Sequence, residues 1–295
     1  MARSNITRIL SLVVITSGVI SLIFNSGPKL SIDFKGGTLI AVNYTDIIDI
    51  NDVRSSMTEV NIEGQVFDFS KAEIKHFGDL SNVALRIASF ENEPENFAKA
   101  LVAKMASLYP NLIPKNENDF ILSIEKVGPK IGAELRGDAV MAIISALFLI
   151  LIYITIRFEL KYAVGAIAAL THDVLVTLGI FSLFDYEISL AVIAAFLTIV
   201  GYSLNDTIVI FDRVRENSKM LKKTKLTSVI NQSINDSLSR TIVTSLTTFF
   251  VVLILFIFGG EVLHTFSFAM IIGVVVGTYS SIFVASPVVI YMNKN

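Results

Sequence analysis

Residues 138–156 read DAVMAIISALFLILIYITI, and after Asp138 the run carries no charge until Arg157. A helix rises about 1.5 Å per residue and needs about 20 mostly apolar residues to cross a bilayer core, so this stretch reads as a membrane span. Working outward, five further candidates lie at 8–25, 162–184, 188–211, 241–258 and 265–291, each bounded by charge or by Gly and Pro. The 295-residue chain is 53% hydrophobic with a mean hydropathy of +0.67, too apolar for one soluble core. Lipid must solvate much of it. The first span follows Arg3 and Arg8, but Asn25-Ser26-Gly27-Pro28 lacks a small-x-small cleavage site, which predicts an uncleaved anchor rather than a signal peptide.

Lys and Arg in short loops orient such a chain, the excess lying in the cytoplasm. Arg3 and Arg8, Arg157 and Lys161, the group Arg213, Arg215, Lys219, Lys222, Lys223 and Lys225, and Lys294 fall on one side. The opposite short loops hold Asp185 and Glu187, or Glu261 and His264, with no Lys or Arg. Both termini are therefore expected in the cytoplasm. The expected plan is a first transmembrane helix at 1–27, an extracytoplasmic α+β domain at 28–136, and a five-helix transmembrane region at 137–295.

Within 28–136 the pattern alternates. Ser31 to Tyr44 reads as a strand, Asn51 as the cap of a helix with Val53, Met57 and Val60 inward, and Gln65 to Ser70 and Asn82 to Ser89 as strands. Pro94 marks a second helix start, with the stripe Phe97, Leu101, Met105 and Leu108, before a last strand from Phe120 to Lys126. The order β-α-β-β-α-β is that of a small ferredoxin-like domain. Between the fourth and fifth spans, Leu226, Val229, Ile230, Ile234 and Leu238 recur at helical spacing, which predicts an amphipathic helix near 224–239 on the cytoplasmic leaflet or an ordinary surface helix.

An ionisable group deep in a span costs about 2.5–3.5 kcal/mol on insertion scales, so each one marks a candidate site. His172 and Asp173 fall near the middle of the third span, and Asn205 and Asp206 about two turns inside the cytoplasmic end of the fourth. Arg240 opens the fifth, with Thr244, Thr247 and Thr248 continuing its face. Tyr202, Asp206 and Arg213 share one face, which predicts a polar seam running inward from the cytoplasm. Plainer readings stand beside these: Arg240 snorkelling to headgroups, and His172 with Asp173 satisfying one another or a neighbouring helix. The sixth span carries Ala269, Gly273, Gly277, Ser281 and Ala285 at four-residue spacing, a face for close helix packing.

The net charge of −2 gives no basic excess for nucleic acid, and the absence of Cys excludes disulfides, thiolate nucleophiles and Cys-ligated zinc. There is no P-loop motif and no H-E-x-x-H, and Gly201 to Asn205 fails the G-x-S-x-G pattern at its last position. The three histidines, at 76, 172 and 264, fall in different compartments of the expected topology. An enzyme is therefore disfavoured, and neither metal nor cofactor is expected. An intramembrane protease would need a second carboxylate or a Ser/His pair facing Asp206, and Asp173 is the one candidate, at a different depth.

Residues 201–217, GYSLNDTIVIFDRVREN, resemble the most distinctive signature of the SecF family, subunits of the SecDF accessory complex of the bacterial protein translocase. Asp33-Phe34-Lys35-Gly36-Gly37, Val127-Gly128-Pro129 with Ile131-Gly132, His172-Asp173, Arg240-Thr241, residues 244–248, Gly259-Gly260 and residues 277–281 agree with it, in order along nearly the whole chain. The resemblance implies a six-span half of a proton-driven transporter of the resistance-nodulation-division type, in the bacterial cytoplasmic membrane. Its implied partners are a SecD-like half, the SecYEG channel, YajC and unfolded preprotein. Asp206 and Arg240 match family residues implicated in the proton path, and His172, Asp173 and Asn205 join them as ion-coupling candidates. A stand-alone efflux permease of the same superfamily is the alternative, although such permeases need two six-span halves.

Overall fold

The computed structural model describes residues 4–90, 92–116 and 119–293; Arg3 and Lys294, two of the orienting cations, lie outside them. The chain forms two compact units, Leu30–Asp138 on one hand and Met1–Lys29 with Ala139–Asn295 on the other.

The Leu30–Asp138 unit is built on β1 (Gly37–Asn43), whose first six residues are all buried. Burial on both sides follows from its central place. It pairs antiparallel with β5 (Asp79–Ile87), Thr38 opposite Ile87, and with β6 (Ile121–Val127), Gly37 opposite Val127. The edge strand β4 (Glu73–Phe77) completes the order β4-β5-β1-β6. On the sheet lie α3 (Ile50–Ser56) and α4 (Phe97–Leu108), with Val53, Phe97, Leu101 and Met105 buried and Leu108 partly so. Rings of Phe67, Phe69, Phe90 and Phe97 meet edge to face and stacked in the same core. The Tyr44 hydroxyl donates 2.8 Å to the carbonyl of Met105, and burial pushes its phenol above the usual tyrosine range.

Three local expectations are corrected here. The Ser31 to Tyr44 segment begins with a helical turn, α2 (Ile32–Lys35), because the Ser31 hydroxyl accepts from the Asp33 N–H at 3.2 Å. Asp49, not Asn51, caps α3, its carboxylate accepting 2.8 Å from the Asn51 N–H. Residues 59–68 form a separate hairpin of β2 (Glu59–Ile62) and β3 (Gln65–Asp68) that contains Val60, so the second strand of the main sheet is β4. Glu63 and Gly64, at φ 53° and 85°, make the hairpin's two-residue turn.

The two glycines after Lys35 have distinct work. Gly36 closes the turn at φ 74°, and a Cβ there would sit 2.8 Å from the backbone of Pro129. Gly37 lies against the carbonyl of Ile87, and Gly132 approaches the Phe34 carbonyl, so the glycine pair docks the turn on the segment that opens the next helix.

The second unit is helical. After α1 (Ser4–Phe24) come α5 (Pro129–Arg157), α6 (Leu160–Leu183), α7 (Leu190–Met220), α8 (Leu226–Phe258), α9 (Gly260–Ser280), a π turn (Ser281–Ala285) and α10 (Ser286–Met292). Five stretches are long and apolar enough to cross a membrane, the last being Leu263–Met292, and the apolar part of α1, Ile9–Phe24, is a shorter sixth. In α5 and α8 only 11% and 17% of the apolar window is buried, against 50% or more in α6, α7 and Leu263–Met292, so the last three form the centre.

Small residues set the approach of these helices. Gly18 of α1 meets Gly179 of α6 backbone to backbone, Gly273 of α9 lies under the side chain of Ile199, and Gly277 lies 2.9 Å, measured from a built Cβ, from that of Ser203. Ala269, Ser281 and Ala285 on the same stripe are fully buried. Pro287 cannot donate a backbone hydrogen bond, and beside it the helix widens into the π turn, where the Ser286 hydroxyl donates 3.1 Å to the Ser281 carbonyl.

Residues 226–239 do not form a separate helix on a leaflet. They are the first part of the unbroken 33-residue α8. Val229 and Ile230 are buried, Ile230 in the cluster that holds Ile210 and Val214 of α7, and Asn217 donates 2.9 Å to the Ser233 hydroxyl. Nothing between Leu226 and Phe258 breaks a helix, since the stretch has neither Gly nor Pro.

Candidate functional site

Besides Glu187 in the α6–α7 connection, two carboxylates are buried among the described residues of the helical unit, each about half-way along an apolar helix, and each has a different company. Asp173, 1% exposed, accepts at Oδ1 from Nδ1 of His172 at 2.9 Å, and at Oδ2 from the hydroxyls of Ser203 (2.5 Å) and Ser280 (2.8 Å). His172 extends this set at its other nitrogen: Nε2 lies 2.9 Å from Ser11 Oγ and 2.8 Å from the Tyr279 hydroxyl, which are 3.0 Å from each other. The Tyr279 ring meets the imidazole edge-on at 5.4 Å. Four helices, α1, α6, α7 and α9, thus share one hydrogen-bonded centre. Sequence reasoning finds His172 and Asp173 and misses Ser11, Ser203, Tyr279 and Ser280. Only the fold aligns those hydroxyls, and serine is too common in spans to be a signal.

Asp206 of α7 is 3% exposed, and its one hydrogen bond among the described residues is a long one, accepted at Oδ2 from the Ser245 hydroxyl of α8 at 3.4 Å. Ser245 in turn accepts from Thr278 of α9 at 2.8 Å. Arg240 lies on α8, five residues before Ser245, exposed and without an ion pair among the described residues. Asn205 is exposed on the outer face of α7. The structure therefore does not gather the five ion-coupling candidates into one cluster: His172 and Asp173 form one set, Asp206 and Ser245 another. Two facing carboxylates of a protease are not formed, since Asp173 and Asp206 are bonded in separate sets.

The expected seam and threonine face are corrected as well. Arg213 donates 3.0 Å each to Asp236 and Glu216 rather than reaching Asp206, and the Tyr202 hydroxyl is buried without a partner among the described residues. Thr244, Thr247 and Thr248 donate to carbonyls of their own helix, Arg240, Val243 and Thr244, at 2.9–3.0 Å. Their hydroxyls are spent on the backbone. Ser245, between them, is the residue that faces the carboxylate. Near the α6–α7 connection, Lys29 pairs with Asp185 at 2.7 Å, and Tyr186, Phe268, Phe256 and His264 stack in a ring cluster.

A mostly helical chain with five to six apolar spans, a small β-sheet unit and polar centres buried between the spans is a polytopic membrane protein of the transport class. Comparison with known proteins narrows this. The chain belongs to the SecD/SecF family: residues 111–295 match "Protein export membrane protein SecD/SecF, C-terminal" and residues 21–45 match the "SecD/SecF GG Motif". It is 47% identical to the protein translocase subunit SecF of Calditerrivibrio nitroreducens over 278 residues, 93% of this chain and 87% of that one. It is 44% identical to the SecF subunit of Rhodothermus marinus, over 94% of this chain and 87% of that one. The crystal structure of SecDF from Thermus thermophilus, a translocon-associated membrane protein, superposes with a TM-score of 0.86 at 35% identity. A crystal structure of SecDF in its super-membrane-facing form gives 0.68 at 34%. The chain is covered fully in both, and spans 38% of the length of each SecDF chain.

Proposed function

We propose that this chain is a subunit of the Sec protein-translocation accessory complex, and that it uses the proton gradient to drive late stages of preprotein export across the bacterial cytoplasmic membrane. The observation that carries the coupling is Asp206, a buried carboxylate held, among the described residues, by one long hydrogen bond from Ser245 of the next helix, the helix that also bears Arg240. Relative movement of α7 and α8 changes what surrounds that carboxyl and so couples its protonation to the arrangement of the helices. One charge crossing 100 mV releases about 2.3 kcal/mol, enough to shift a conformational equilibrium roughly fifty-fold. In this reading the Leu30–Asp138 unit lies outside the cytoplasm, both termini lie inside, and the outer unit acts on preprotein emerging from the SecYEG channel.

A SecD-like half is the proposed partner. Along α7 the exposed residues Ala194, Thr198, Gly201 and Asn205 recur at helical spacing, small or polar groups suited to another helix rather than to lipid. The SecDF chains are more than twice as long as this one, and the length it leaves unmatched is what such a partner would supply.

Export into inverted vesicles, with and without an imposed proton gradient, tests the reading. Asp206→Asn should leave expression and partner binding intact and abolish the gradient-dependent part of export; full gradient dependence in that variant overturns the mechanism. Arg240→Lys keeps the charge and loses the planar fork, and should be the milder lesion. For the topology, a reporter fused after residue 90 should lie outside and one after residue 222 inside, and cytoplasmic activity at both refutes it.

A further inference from the structure

Asp173 has no arginine or lysine partner among the described residues; its counter-group is His172 alone. With a neutral imidazole, the centre shared by α1, α6, α7 and α9 would carry one unbalanced negative charge inside an apolar bundle. An isolated buried carboxylate is among the most unfavourable groups a membrane interior can hold, whereas a neutral, fully bonded pair is tolerated.

The hydroxyl geometry points the same way. Nε2 of His172, Ser11 Oγ and the Tyr279 hydroxyl form a triangle with sides of 2.9, 2.8 and 3.0 Å. If Nδ1 carries the imidazole's only hydrogen and donates it to Asp173, Nε2 is bare. The two hydroxyl hydrogens then serve three sides, and one side always sets lone pair against lone pair. A hydrogen on Nε2, shared between the two oxygens, removes that side and leaves Ser11 to donate to Tyr279 or the reverse.

We propose that the His172–Asp173 pair is a proton-binding site in its own right, separate from Asp206, and that it holds one proton beyond neutral histidine and ionised aspartate. The pair is then electrically neutral, whether the hydrogen between Nδ1 and Oδ1 rests on nitrogen or oxygen. Its exchangeable proton is the one on Nε2. That nitrogen contacts Ser11, and Ser11 and His172 line a cleft of about 430 Å³ together with Tyr291 and apolar side chains such as Leu12, Ile15, Phe283 and Pro287. Asp206 is not among the residues that line this cleft. Among the described side chains, the titratable groups facing the imidazole are Asp173 of its own helix and Tyr279 of α9, with Tyr291 of α10 on the cleft wall; α1 and α7 contribute Ser11 and Ser203. Loss of the proton would leave the centre charged and break a hydrogen bond that ties α1 to α6 and α9.

The chain has three histidines, so nitrogen NMR of the full-length protein, labelled at histidine and reconstituted in lipid, resolves this one, with His172→Gln fixing its assignment. At about pH 7.5, where an ordinary histidine is mostly neutral, Nε2 of His172 should carry a hydrogen; a bare Nε2 with the hydrogen on Nδ1 overturns the proposal. Asp173→Asn removes the charge that retains the proton, and the imidazole should then carry a single hydrogen, on either nitrogen, whereas a doubly protonated ring there contradicts the charge argument. Should that variant fail to fold, Tyr279→Phe keeps the charge and must keep the Nε2 hydrogen; its loss overturns the proposal equally. Asp206→Asn should leave the signal unchanged, and a signal that disappears there would show one proton site rather than two. These readings require no export, so they stand or fall apart from the gradient mechanism.

Discussion

The surroundings of Asp173 and of Asp206 make an instructive pair, two carboxylates equally hidden from solvent and unequally bonded. Asp173 receives three donors at 2.5–2.9 Å from three helices, and the serine, tyrosine and histidine groups around it are themselves bonded. Asp206 receives, among the described residues, one donor at 3.4 Å and has no ion pair with Arg240. A saturated group fixes the helices that bond it, because moving any of them strands a buried charge. A group left short of partners is free to change state when a neighbour moves. The first arrangement is what holds a bundle together and the second is what lets one side of it respond.

That contrast can be broken by stability measurements in mixed micelles. The largest effect should come from Asp173→Ala, which strands His172 and the hydroxyls of Ser203 and Ser280 and should destabilise the bundle by about 3–5 kcal/mol, while Asp206→Ala should cost far less. Equal losses at the two positions would erase the distinction. Ser203→Ala removes one donor to the carboxylate and should cost about 1.5–3 kcal/mol, nearly all of it absent in an Asp173→Ala background, where a double-mutant cycle would expose the coupling. Gly277→Ala pushes on Ser203 across the α7–α9 contact and should cost about 1–3 kcal/mol by overpacking, with Gly277→Leu dissociating the helices outright. Ser245→Ala should be the mildest, about 0.5 kcal/mol or less, since its bond to Asp206 is already long. A large loss there would move Asp206 into the same class as Asp173.

The sequence exposes some of these features and conceals others for identifiable reasons. Apolar length reveals the spans because hydrocarbon tolerates little else, and His172, Asp173 and Asp206 stand out against that background. Their hydroxyl partners do not, since Ser11 lies 161 residues from His172 and Ser280 107 from Asp173. The threonine face after Arg240 was legible as a pattern but misleads, because a threonine in a helix has its own carbonyl four residues back within reach. The start of α8 looks like a separate element because hydropathy changes at Arg240, although helix continuity depends on backbone propensity and not on hydropathy. In the sheet unit, Glu63-Gly64 is a readable two-residue turn, and taking β3 for a strand of the main sheet ignored it. The stripe Phe97, Leu101 and Met105 reads correctly because a single buried face determines both its period and its burial.

The continuity of α8 has a mechanical meaning. Thirty-three helical residues make a rod about 50 Å long, and Ser245, which touches Asp206, lies about 28 Å along it from Leu226. A tilt of roughly 10° about that point would swing the Leu226 end by about 5 Å. The bonds from Asn217 to Ser233 and from Arg213 to Asp236 lie about 18 and 14 Å from Ser245, where the same tilt moves α8 by about 3 and 2 Å, and bonds of 2.9 and 3.0 Å cannot stretch to follow it. The rod must therefore carry α7 with it or let go of it, so a small displacement beside one carboxylate becomes a two-position lever at the opposite end.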